Sequence, residues 1–214
     1  MVVSVDGRGA ADESELIRLL QHIVGDDVIH ARWLNSLSYL ENVGARKISA
    51  SQDREMVTEA VLRHTVEEAR HAWYLKRQLQ KLDSTACPTY EAEYLLASSV
   101  TRNYINKLDV ALSRLVKEQL GLAGAHLRQV CYQLVTYAIE VRADWLYHNY
   151  ESVLAQTESV VSIRSILQEE EHHLAEMTSS LDKTLEDSGW WMKQATTIEQ
   201  PLFENWITAV SADV

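Results

Sequence analysis

Four glutamates and two histidines recur along this 214-residue chain at intervals that antiparallel helices can bring to one level: Glu41, then Glu68-Ala69-Arg70-His71, then Glu140, then Glu170-Glu171-His172-His173. A Glu and a His three positions apart share one face of an α-helix. Glu41 precedes Glu68 by 27 residues and Glu140 precedes Glu170 by 30. That is the length of chain needed to finish one helix, turn, and return to the same level on a neighbour. Each half supplies Glu, then Glu-x-x-His. The pattern predicts an all-α protein in which four helices present Glu41, Glu68, His71, Glu140, Glu170 and His173 to two metal ions.

The faces of the predicted helices separate these residues from their neighbours. On the fourth ligand-bearing helix, Ile163, Ile166, Leu167, Glu170, His173, Leu174, Met177 and Leu181 form one apolar stripe. The other register, Glu169 with His172, shares its face with Ser162, Ser165 and Glu176, the side expected to be wet. Glu41 lies in line with Leu34, Leu37 and Ile48, and Glu140 in line with Tyr137 and Tyr147. A lone charge on such a stripe is costly unless something compensates it. Carboxylates and imidazoles suit iron or manganese, and four glutamates offset the charge of two divalent ions. Asp144, one turn beyond Glu140, is expected either to replace it or to support it. His64, one turn before Glu68, is read as a hydrogen-bonded core histidine and not as a seventh ligand. His22, His30, His126 and His148 are read as ordinary surface or half-buried residues, and Tyr39, Trp73, Tyr74, Tyr137, Trp145 and Tyr147 as core aromatics.

Composition agrees with long helices, because two prolines and seven glycines are too few for a loop-rich or all-β fold. We expect one domain over 1–214, with a bundle core at about 14–186. A loose lead-in over 1–11 precedes a first helix that starts near Asp12 and Ser14 and bends near Gly25. A second helix is expected from Ser51–Asp53 to Leu82, with Val57, Val61, His64, Glu68, His71 and Leu75 on one stripe. A helical crossover insert (about 84–124) leads to helices at about 125–155 and 158–186. The tail (187–214) carries Trp190, Trp191, Phe203 and Trp206, too many aromatics for a disordered end, and is expected to pack on the bundle or on a partner subunit. A net charge of −11 without any basic run argues against nucleic acid and anionic membrane as partners. Cys87 and Cys131 are expected as reduced residues. With no apolar leader or bilayer-length apolar stretch, the expected location is the cytoplasm.

The whole pattern resembles the ferritin-like di-iron carboxylate superfamily. Glu67-Glu68-Ala69-Arg70-His71 is similar to the [Asp/Glu]-Glu-x-Arg-His form of di-iron monooxygenases and acyl desaturases. Glu169-Glu170-Glu171-His172-His173 matches that form except that His172 stands where Arg is usual. Ferritins and rubrerythrins also carry Glu-Glu-x-x-His. The resemblance implies a ferritin-like four-helix bundle with the helical insert and aromatic tail appended, and two iron ions, or manganese, held by the six ligands. It implies Glu67 and Glu169 accepting the free ring N–H of the histidine from the opposite half, with Arg70, Asp144 and Tyr137 as further supporting candidates. The implied activity is an O₂-activating oxidoreductase acting on a small organic substrate, with an external electron donor and a small homo-oligomer such as a dimer. The alternative is a ferroxidase, iron-handling or peroxide-scavenging protein. The chain lacks the Cys-x-x-Cys of a standard rubrerythrin, and its insert and tail depart from a minimal ferritin subunit. A metal-free helical interaction protein is a third expectation. A tRNA-modifying hydroxylase finds no visible RNA-binding face here.

Overall fold

Gly25 and Asp26 do more than bend the first predicted helix; they divide it. In the computed structural model, which describes residues 10–52, 55, 57–83 and 85–214, α1 spans Ala10–Val24 and α2 spans Asp27–Ser51. Asp26 is extended, and its carboxylate accepts the amide N–H groups of Val28 (2.9 Å) and Ile29 (3.0 Å). This side-chain cap satisfies donors that a fresh helix start leaves open, so the chain begins a new helix instead of continuing the old one. The remainder of the expected lead-in, 1–9, and the start signal at Asp53 lie outside the described residues.

α3 (Glu59–Leu82) begins later than the sequence pattern predicts, at a Thr58 cap whose hydroxyl accepts the Val61 N–H. Val57 precedes that cap and is exposed, so the predicted stripe loses its first member. The short connection between α2 and α3 makes them antiparallel neighbours, and they form the most extensive helix pair in the molecule. A 3-10 turn (Ala92–Tyr94) leads into α4 (Ser98–Leu120), which Gly121 ends in the left-handed conformation at φ +63°. α5 (Gly124–Gln156) pairs with α6 (Arg164–Thr184), which starts several residues after the predicted point.

The expected aromatic tail is a helix, α7 (Ser188–Ser211), docked on α4 and α5. Trp191, Ala195, Glu199, Phe203, Trp206 and Val210 recur at three- and four-residue steps, and all are buried. Trp206 stacks between Trp33 (centroids 5.5 Å apart) and Tyr104 (5.9 Å), and its indole N–H donates to the Thr101 hydroxyl at 2.9 Å. Glu199 would be an isolated buried charge were it not held by the Arg142 guanidinium, with contacts of 2.6, 2.9 and 3.1 Å, and by the Tyr104 hydroxyl.

α3 and α6 are joined by polar side chains, Arg63 to Glu176 and Arg70 to Glu169, and Tyr74 donates to the Ser162 carbonyl in the connection just before α6. Among the described residues all regular structure is helical, and no helix is long and apolar enough to cross a membrane. Cys87 and Cys131 are free and buried.

His30 departs from its expected ordinary environment. It is buried, and its Nε2 is hydrogen-bonded to the Tyr150 hydroxyl at 2.5 Å. Burial lowers its pKa to about 4 despite the nearby Asp27, so the folded protein keeps it neutral where the unfolded chain, at 6.5, binds a proton. Stability held this way is present at neutral pH and is lost as pH falls from about 6.5 towards 4. Between pH 7 and pH 4 we expect wild type to lose about 3 kcal/mol more than His30→Asn, whose side chain does not titrate. Urea unfolding at the two pH values measures this difference, and equal losses would refute it.

Candidate metal centre

The six predicted ligand residues converge, and all are buried. α2 contributes Glu41, α3 Glu68 and His71, α5 Glu140, and α6 Glu170 and His173. Each histidine of the pairs is anchored from outside by a glutamate on the facing helix: His71 Nε2 donates to Glu169 at 2.8 Å, and His173 Nε2 to Glu67 at 2.9 Å. These are the contacts that the sequence resemblance implies for Glu67 and Glu169. The anchoring leaves Nδ1 as the inward nitrogen of each ring, the atom that would offer a lone pair to a metal once its proton leaves, and both are buried without a hydrogen-bond partner.

His71 Nδ1 lies 3.0 Å from Glu170 Oε1 and 3.8 Å from Glu41 Oε2. His173 Nδ1 lies 3.7 Å from Glu170 Oε2 and 3.8 Å from Glu140 Oε1. Glu170 therefore turns one oxygen to each histidine. Two buried groups able to hold a metal ion result, each with its ligand atoms within 4.8 Å of one another. One is Glu41, Glu68, His71 and Glu170; the other is His64, Glu68, Glu140 and His173. Glu68 belongs to both. His64, assigned from sequence to the core alone, stands in the second group, and the signal for it was its place one turn ahead of Glu68 on the same face.

The supporting candidates divide. Arg70 pairs with Glu169 and so braces the carboxylate that anchors His71. Asp144 neither replaces Glu140 nor supports it: it is partly exposed and lies 3.3 Å from His148. Tyr137 is only half-buried and makes no hydrogen bond to the cluster. At 100° per residue, Asp144 and Tyr137 sit about 40° and 60° to one side of Glu140, whereas Tyr147, Thr136 and Ala143 sit about 20° to 60° to the other. The cavity described below opens on that second side. Tyr147 accordingly donates its hydroxyl proton to Glu41 across the helix interface. On α6 the alternative register is wet, with His172 exposed and paired to Glu176 at 3.1 Å.

Burial and the close approach of like and opposite charges shift the protonation of the cluster. Burial and the charge of Glu68 push Glu41 up to about 7, and burial with the charge of Glu170 raises Glu140 well above the carboxylate range. Burial alone would raise Glu170, but contacts from Glu140, His173 and His71 hold it below that range. Burial lowers both imidazoles, yet their carboxylate neighbours outweigh it: Glu170 and Glu41 push His71 up to about 12, and Glu170 and Glu67 push His173 up to about 9.

Gly44, one turn after Glu41 on α2, makes room for the centre. A Cβ there would fall 2.6 Å from Glu68 Oε2. Beside Gly44, a cavity of about 390 Å³ reaches the carboxylates of Glu41, Glu68, Glu140 and Glu170. Its walls are mainly apolar, with Leu40, Ile105, Val135, Ile139, Phe203 and Trp206 drawn from α2, α4, α5 and α7. Its outer end carries exposed Arg128 and the Lys47–Asp109 ion pair at 2.6 Å.

No protein-family model, curated protein or solved structure matches the chain. The functional reading rests on the chemistry of the site itself.

Two outcomes follow from this geometry. Gly44→Ala should weaken divalent-metal binding on the order of tenfold by displacing Glu68, while helix content by circular dichroism holds, since Ala favours the helix. Unchanged affinity in a Co(II) or Mn(II) titration would show that Glu68 is not a ligand in this position. Metal must also displace the protons held at neutral pH by His71, His173 and partly Glu41, so binding should release more than one proton per chain and weaken as pH falls from 9 to 6. Calorimetry in buffers of different ionisation enthalpy counts those protons.

Proposed function

We propose that the chain is a ferritin-like dinuclear oxidoreductase that activates O₂ to oxidise a small, largely apolar organic molecule. The observation that carries this reading is the shared buried cluster lying at the inner end of an apolar cavity. The donor set fits two iron ions, with manganese the closest substitute: four carboxylates neutralise two divalent cations, and two inward imidazole nitrogens have no other partner. Such a pair, when bound, supplies electrons to dioxygen and passes the oxidising equivalents to the substrate.

The chain's own residues do the rest. Glu67 and Glu169 fix the histidine rings and keep their Nδ1 atoms turned inward. Tyr147 holds a proton at its hydroxyl oxygen against Glu41, at the cavity side of the cluster. Its own ionisation is pushed well above the usual phenol range by burial and the Glu41 charge, so the hydroxyl stays a donor. The cavity runs beside α5 from Arg128 to Tyr147, about 28 Å of helix, and its apolar wall favours displacement of water by substrate before oxygen reacts. Catalytic turnover in this reading draws electrons from an external donor.

Anaerobic Fe(II) titration of the full chain, followed by oxygen exposure and product analysis, tests the proposal. Two irons per chain are expected, with a transient charge-transfer absorption on adding oxygen. His173→Ala should lose iron from one position, and His172→Ala should keep both. Iron uptake far beyond two per chain, in a large shell-like particle, would replace the oxygenase reading with an iron store.

A further inference from the structure

The two metal positions are built from similar halves, but they are not equivalent. Four residues before Glu170 on α6 stands Ile166, an ordinary buried core residue. Four residues before Glu68 on α3 stands His64, equally buried, with Nε2 3.1 Å from Glu140 Oε1 and 3.5 Å from Glu68 Oε1. Its ring centroid lies 4.5 Å from that of His173. The outer nitrogen, Nδ1, lies 3.2 Å from the Tyr132 hydroxyl. His64 thus repeats the arrangement of His71 and His173: one ring nitrogen held by a polar group outside the cluster, the other turned towards its carboxylates.

We propose that His64 is a seventh ligand, through Nε2, at the metal position it shares with Glu68, Glu140 and His173. The inference rests on the dinuclear reading above and adds to it an asymmetry between the two ions. The position on the His64 side has two imidazole donors, whereas the one on the Glu41 side has His71 alone. Nitrogen donors raise affinity for later first-row divalent ions over manganese, so the His64 side is the tighter site for Fe(II) and Co(II). It also has one fewer place for an exogenous ligand. Oxygen and substrate therefore meet the centre at the His71 and Glu41 position, beside Tyr147.

A purely structural His64 would only hydrogen-bond Glu140 and Tyr132, and the test must separate these roles. Co(II) is titrated anaerobically into the full-length protein, and proton NMR in water follows exchangeable ring N–H resonances shifted far outside the diamagnetic range. A histidine that binds the ion directly gives such a resonance through the bond; one held only by a hydrogen bond does not. Selective ¹⁵N labelling of histidine identifies the signals. Three are expected in wild type, two of them growing in together with the first equivalent. His64→Gln and His64→Ala should each show two, with the first, tighter binding step lost. Two shifted ring N–H resonances in the Co(II)-saturated wild type would overturn the seventh ligand and leave the dinuclear centre standing. If wild type takes up no Co(II) at all, the dinuclear reading fails and this inference with it. The wild-type count decides even where the variants fold poorly.

Discussion

Burying four carboxylates at one level of a helical protein is the constraint on which this structure depends. Left ionised and unpaired, they would repel one another in a medium that screens little, at a cost no domain of this size can carry. The folded chain meets that cost with imidazoles and protons inside the cluster and with a second set of charges outside it. Glu67, Glu169, Arg63, Arg70 and Glu176 knit α3 to α6 just beyond the histidines. The same contacts that hold these two helices together orient the rings. Structure and site share one polar network.

The other side of the cluster is governed by apolar packing. α4 and α7 are not needed to present the six predicted ligands, yet both wall the cavity that reaches them. Trp206 joins these roles, stacking with Trp33 and Tyr104 while it lines the cavity. The Arg142–Glu199–Tyr104 contact lies in the same interface, with Arg142 and Tyr104 on the cavity wall. A buried ion pair of this kind adds little net stability over apolar packing, but breaking it leaves a stranded charge. It ties α7 to α4 through Tyr104 and to α5 through Arg142.

The halves of the centre look alike in sequence and differ in surroundings. Histidines line the α3–α6 side, and the carboxylates of Glu41, Glu68, Glu140 and Glu170 face the cavity. A proton donor, Tyr147, stands at the cavity side against Glu41, and an additional imidazole, His64, stands at the opposite group. The polarity of the site thus runs from a nitrogen-bearing wall to a carboxylate face that lines the cavity.

The helical class and the six converging residues were legible in the sequence, whereas the anchoring of each histidine by a glutamate from the opposite half was expected only from the family resemblance. Glu-x-x-His spacing fixes a shared face, and similar separations of 27 and 30 residues place two faces near one level, so local helix geometry suffices for these six. Helix starts were less legible: Thr58 and Asp26 won because a capping side chain stabilises a start more than the apolar period does. α5 was the hardest helix to read, because it is buried around much of its circumference and no single stripe marks its inner face. Only the tertiary structure could show that Tyr147 and not Asp144 or Tyr137 meets the centre, since that depends on the rotation of α5 about its axis. The same holds for His30, whose partner Tyr150 lies 120 residues away, a relation that packing creates and no local period records. His64 and the α7 stripe do show in their helical spacing, but their partners, Tyr132 for His64 and Thr101 for Trp206, are set by packing.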